Sequence, residues 1–205
     1  MDPIQIVSLA ASTSLLAGWR LYLVTLVTGL AMHFGWIALP ANLHQLDILA
    51  SWWVIGAAAV GTLAEFFADK IQFVDSAWDA VHSFIRPLGG ALLALAIVDS
   101  GNPTWQVLSA LLGGSAALLA HSGKAGARAM VNASPEPYSN IAVSTGEDVV
   151  TTGLLAMAIA NPVLAAIVAA VIVLGTGWLA YKARRFVKRL LGQRGRPTMR
   201  DVSPK

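Results

Sequence analysis

The 205-residue chain contains no cysteine. That excludes disulfides, thiolate metal centres and cysteine nucleophiles. Charge is scarce: 12% of the residues are charged, against roughly 25% in soluble domains. The scarcity is uneven. Lys182, Arg184, Arg185, Lys188, Arg189, Arg194, Arg196, Arg200 and Lys205 crowd the C-terminus, leaving Arg20, Lys70, Arg86, Lys124 and Arg128 as the only basic residues before it. No aromatics interleave the last of these basic residues, so nucleic-acid binding has no support. The motifs HExxH, GxSxG, GxGxxG and the P-loop are absent, and no two histidines stand at metal spacing on one helix. The aspartates at 69, 75 and 79 do not match the spacing of the lipid phosphotransferase array. No cofactor is implied. The N-terminus "MDPIQIVSLAAS" lacks the positive n-region of a signal peptide and is read as part of the mature protein.

What is present is oil. The chain is 56% hydrophobic with a mean hydropathy of +0.65, which places it among membrane proteins. Its length suits one all-α bundle of about six transmembrane helices. Ile4–Leu16 is apolar but short, and Gly18-Trp19-Arg20 interrupts it. Spans are expected over Leu21–Leu39, Trp52–Ala68, Thr104–Ala120 and Val163–Tyr181. Leu88–Val98 and Val149–Ala160 are apolar but too short to span comfortably. The expected organisation is one integral membrane domain over residues 1–185 and a basic tail over 186–205.

The positive-inside rule gives one orientation. With the tail in the cytoplasm, loops 69–86 and 121–148 are also inside and carry Lys70, Arg86, Lys124 and Arg128. Loops 40–50, 99–103 and 161–162 are outside and carry no Lys or Arg. A basic tail of this kind faces anionic lipid headgroups. A weak internal repeat runs through the chain: span, polar inner segment, short apolar helix, then "NP". It occurs over 52–103 and again over 104–162, and "AGWRLYLVTLVTGLAMHFGWIALP" is a distant third copy. Short, interrupted apolar segments at matching positions point to a transporter-type site. Two thin spots beside interfacial helices would leave the same pattern. The Gly/Ala-rich helices also leave homo-oligomers or other protein partners open.

The ionisable residues inside the oily body are the candidate site. In "FADKIQFVDSAWDAVHSFIRP", Asp75, Asp79, His82 and Arg86 form one stripe opposite Phe73, Val74, Ala77, Trp78, Val81, Phe84 and Ile85. The stripe belongs either to a cytoplasmic amphipathic helix lying flat in the interface or to the wall of an inward-facing vestibule. In the second case Asp79 and His82 could share a proton, and Arg86 could hold an anion or lock an acid. Pro87 is read as the first turn of a new helix. Ser144-x-x-Glu147 is a capping-box pattern, with Glu147 and Asp148 either capping a helix or facing the centre. Glu65, inside a span, pairs with Lys70 or Arg20 or else carries a proton; Asp69 follows at i+4. His121, Lys124 and Arg128 share a helical face, as a positive-inside loop or as a seat for an anionic group. The ion- or substrate-binding candidates are therefore Glu65, Asp69, Asp79, His82, Arg86, Lys124, Arg128, Glu147 and Asp148.

The segments "AEFFADKIQFVDSAWDAVHSFIRPLGGALLA", "AHSGKAGARAMVNASPEPYSN" and "VSTGEDV" resemble the signature segments of a bacterial multi-pass membrane family known only as a domain of unknown function. The resemblance covers roughly residues 5–185. It implies a helical inner-membrane protein with short or re-entrant helices and supplies no substrate. Three functions stand: a small transporter or channel-like protein with a polar site on the cytoplasmic side, a membrane-embedded enzyme acting on a lipid or small phosphate, and a structural accessory protein.

Overall fold

The computed structural model describes residues 2–36, 48–98, 102–132 and 138–194. The loop expected over 41–48, the segments around Asp99 and Pro135, and the end of the tail lie wholly or largely outside them. Six helices are described: α1 (Pro3–His33), α2 (Trp52–Ala68), α3 (Gln72–Ile97), α4 (Pro103–Val131), α5 (Tyr138–Ala160) and α6 (Pro162–Arg194). The starts follow local chemistry. Asp2 accepts from the Gln5 backbone N–H while the Gln5 side chain accepts from the Asp2 N–H, a capping box with Pro3 in the first turn. The two "NP" steps are helix starts of the same type. Asn102 caps α4 and Asn161 caps α6, each with a proline next in line.

The interruption at Gly18-Trp19-Arg20 is real, and it is a fold rather than a loop. Arg20 is the one non-helical residue inside α1, at φ −140° and ψ 73°. Leu9, Ala10 and Ala31 share one buried cluster with Ile97, Ala158 and Ala165. A straight helix would hold Leu9 and Ala31 about 33 Å apart. α1 is therefore two arms folded back on each other, with Arg20 at the bend. It sits at the centre and touches all five other helices.

Three expectations change. The amphipathic stretch 73–86 and the apolar stretch 88–98 are one helix, α3, which passes through Pro87 without ending. Pro87 is thus not a first-turn residue. The polar segment after residue 120 is mostly helical, since α4 continues to Val131 and α5 begins at Tyr138. Ser144 and Glu147 consequently lie in the interior of α5 and form no capping box. The supposed short helices are the second halves of α3 and α5. They look short because α3 and α5 carry their charged residues ahead of these stretches, and hydropathy registers only the apolar remainder.

Among the described residues, Phe73–Ile97 and Pro162–Leu179 are long and apolar enough to cross a membrane as single helices; Pro3–His33 has the same length and composition but folds at Arg20, and α2 is a shorter apolar helix. Large apolar side chains face outward, including Trp53, Phe67, Phe84, Leu112 and Val171. This is the surface of a protein solvated by lipid. Inside, small residues let backbones approach. A Cβ on Gly90 would meet the Gly113 carbonyl oxygen at 2.8 Å, and one on Gly18 would meet the Ala117 oxygen at 2.3 Å. α3 and α4 therefore pack closely against each other and against the bend of α1.

Candidate functional site

The interior of the bundle is apolar at one end and charged at the other. All five basic residues of the body meet six carboxylates at the charged end, on and around the bend of α1. Arg20, Arg86, Lys124 and Arg128 are each at most 2% exposed. They stand in three layers.

The first layer centres on Arg86 of α3. Its Nη2 is 2.7 Å from Glu65 Oε1 of α2, and its Nη1 is 3.0 Å from Asp79 Oδ1. Nη1 also donates to His121 Nδ1 at 2.7 Å. An arginine can only donate, so His121 accepts at Nδ1 and is neutral. Its Nε2–H then serves Ser83 Oγ at 3.0 Å, and the Ser83 hydroxyl donates to the Asp79 carbonyl. His82 Nδ1 lies 2.8 Å from the Trp78 carbonyl and must donate; in the neutral ring its Nε2 then accepts from Tyr22 Oη at 3.1 Å. His82 stacks on Trp78. Asp79 and His82 therefore share no proton, contrary to one sequence reading: Arg86 takes the carboxylate and Tyr22 takes the imidazole.

The second layer surrounds Asp69, the C-cap of α2. Arg20 Nη1 pairs with Asp69 Oδ2, and Lys124 Nζ approaches the same oxygen at 3.4 Å. Arg20 Nη2 reaches Asp148 Oδ1 at 2.9 Å and donates to the Ser144 carbonyl at 3.2 Å. Lys124 Nζ stands 3.6 Å from Glu147 Oε2. Lys70 bridges Ser144 Oγ at 2.6 Å and Asp148 Oδ2 at 3.0 Å. Asp69 lies in the turn between α2 and α3. Burial opposes its ionisation, but the Lys124, Arg20 and Arg128 charges outweigh that and hold its carboxyl below the usual range.

The third layer is one matched pair. Arg128 holds Asp75 through two hydrogen bonds, Nε to Oδ2 at 3.1 Å and Nη2 to Oδ1 at 2.8 Å. Arg128 Nη2 also donates to the Asp69 carbonyl at 2.7 Å and Nη1 to the Asn140 carbonyl at 3.1 Å, tying the α2–α3 turn to α5. Asn132 completes the Asp75 shell at 2.6 Å.

The bend explains why these cations collect there. Breaking a helix frees the carbonyls of the preceding turn. Lys124 Nζ donates to the Trp19 carbonyl at 3.0 Å, and Arg86 Nη1 reaches the Gly18 carbonyl at 3.4 Å. The α1 bend and the cations of α3 and α4 therefore stabilise one another.

All nine residues singled out from sequence lie in or against this cluster. The expected partners are wrong in places. Glu65 pairs with Arg86, not with Lys70 or Arg20. Lys124 and Arg128 are held by acids and offer no open seat to an anion. Arg20, Lys70, Asp75, His121, Ser144 and Asn140 belong to the network and stand outside the sequence-derived set. One signal could have found two of them, Arg20 and Lys70: every Lys and Arg before the tail belongs.

A cavity of about 200 Å³ opens beside the cluster between α2 and α5. Arg20, Leu23, Thr62, Glu65, Phe66, Asp148 and Thr152 line it. Two buried atoms of its lining residues, Glu65 Oε2 and Arg20 Nε, have no hydrogen-bond partner. Two larger cavities are apolar and lie elsewhere: one of about 420 Å³ between α1, α2 and α3, and one of about 330 Å³ between α1, α3 and α4. Among the described residues, no His, Asp and Glu side chains are grouped as a metal site requires.

These features define an all-α membrane bundle whose polar interior is gathered around a folded helix. The chain belongs to the family described as Domain of unknown function (DUF4126), whose model matches residues 7–182. No curated protein and no solved structure matches it.

Proposed function

We propose that this protein is a small transporter or channel-like protein of the bacterial inner membrane, with its polar site on the cytoplasmic side. The observation that carries the reading is the cavity at Glu65 and Arg20. It brings polar groups into a wall of apolar helices, directly beside a broken helix. Ionisable groups inside membrane helices are expensive and mark ion or solute paths. Broken helices at such sites are a recurring device of transporters. The orientation follows from charge: the α2–α3 turn, the α4–α5 connection and the basic tail share the cytoplasmic side. In this reading residues 1–185 form the membrane domain, and residues 186–205 lie along anionic headgroups.

The enzyme reading has less support. A lipid phosphate needs a free cation to receive it. Each of the five basic residues in the body has a carboxylate within 4 Å. The test is flux. Protein reconstituted in liposomes loaded with sodium, potassium or ammonium chloride should release at least one of these ions faster than protein-free liposomes. Glu65→Gln and Arg86→Lys should abolish the release. Release at the wild-type rate in both variants would sink the site.

A further inference from the structure

The three layers differ in their charge balance. Asp75 faces Arg128, one for one. Asp69, Glu147 and Asp148 face Arg20, Lys124 and Lys70, three for three. In the first layer Glu65 and Asp79 share the single Arg86. His121 accepts from Arg86 and so adds no positive charge. His82 adds none in its neutral form, in which Nε2 accepts from the Tyr22 phenol. With His82 neutral, one negative charge is left over in the layer that contains Glu65. Buried carboxylates are not tolerated without compensation.

The geometry points to a monovalent cation site at Glu65, entered from the cavity between α2 and α5. The site is built as well as charged. Glu65 is 1% exposed, lines the cavity and keeps Oε2 unpartnered. Thr62, one turn earlier, donates its hydroxyl to the Ala58 carbonyl at 2.7 Å, which leaves its oxygen lone pairs for a cation. Arg20 also lines the cavity, and its buried Nε–H lacks an acceptor. A bare cation would not satisfy it, whereas water oxygens in the cation's shell would. About 200 Å³ leaves room for a small ion with part of its hydration. The Arg20 charge itself is already answered by Asp69 and Asp148. A divalent ion would overshoot the single missing charge.

This inference deepens the transport reading by naming its ion class, and it is tested by binding rather than flux. The purified protein is melted in detergent at constant pH and ionic strength. The salt is sodium, potassium or ammonium chloride, against N-methylglucamine chloride, whose bulky cation cannot reach a carboxylate that is 1% exposed. At least one small cation should raise the melting midpoint saturably, by roughly 3–6 °C at a tenfold excess over Kd. Glu65→Gln should remove the rise. Asp79→Asn should remove it too, without touching the ion, because Arg86 then balances Glu65 alone. Thr62→Val keeps every charge and should weaken the apparent affinity about tenfold. Equal midpoints in all four salts overturn the site, as does a rise that persists in Glu65→Gln or Asp79→Asn. A rise driven by acid alone, without discrimination among salts, overturns it in favour of a proton. A cation response without flux would leave this site standing and sink the transport reading; flux without a cation response would do the reverse.

Discussion

Arg128 and Arg86 are both buried arginines held by aspartates of the same helix, yet their surroundings teach opposite things. Arg128 grips Asp75 with two hydrogen bonds and spends its remaining donors on backbone carbonyls. Its charges match one for one, and the buried atoms left without a partner there, Asn132 Oδ1 and Asn140 Oδ1, are neutral amide oxygens. Arg86 divides itself between Glu65 and Asp79, leaves its Nε without a partner, and leaves Glu65 Oε2 open. The first arrangement fastens helices. The second is under-compensated, and it stands beside a cavity. Buried charge in this bundle thus serves two purposes, distinguished by stoichiometry more than by depth.

The comparison can be broken by mutation. Arg86→Ala should have the largest effect, since it strands two carboxylates. Each uncompensated buried charge costs about 3–5 kcal/mol, so loss of folded protein on size exclusion in detergent is expected. Asp75→Ala strands only Arg128 and should cost about 3–5 kcal/mol, seen as a lowered melting midpoint with folded protein still recovered. Glu65→Gln should cost less than about 1 kcal/mol or stabilise, because Arg86 keeps Asp79 and the excess charge disappears. Equal losses in Asp75→Ala and Glu65→Gln would erase the distinction between the layers. Lys70→Ala should be smallest, about 0–1 kcal/mol, because Lys70 is partly exposed and its pair with Asp148 is screened.

A pH series sharpens the same contrast at the α2–α3 turn. The native Asp69 carboxyl ionises below its unfolded value. Its contribution is therefore fully present above the unfolded carboxylate range, near pH 4, and is lost as pH falls through the lower native value. Melting midpoints should decline on that acid limb, and Asp69→Asn should flatten the decline. A limb of the same slope in the variant would assign the acid sensitivity elsewhere.

The all-helical membrane class and most of the site residues were legible in the chain. Low charge and long apolar runs dictate lipid-facing helices whatever the packing. Each ionisable residue left in the oil had to find a partner, so Glu65, Asp79, Arg86, Lys124 and Glu147 announced a common interior. Helix ends were less legible. Hydropathy reads a buried charged turn as a loop, which is why α3 looked broken at Pro87 and α5 looked short. Pairing was not legible at all. Glu65 has Lys70 five residues away and finds Arg86 instead, because α2 and α3 converge on the bend of α1.

By itself the sequence determined the solvent of this protein, its all-helical class and its stock of charges, since those depend on composition and local periodicity. Only the tertiary structure decided that α1 doubles back at Arg20, that its freed carbonyls collect the cations, and that one layer is short of a positive charge. Charge balance is a property of which side chains meet, and only the packing of the helices brings them together.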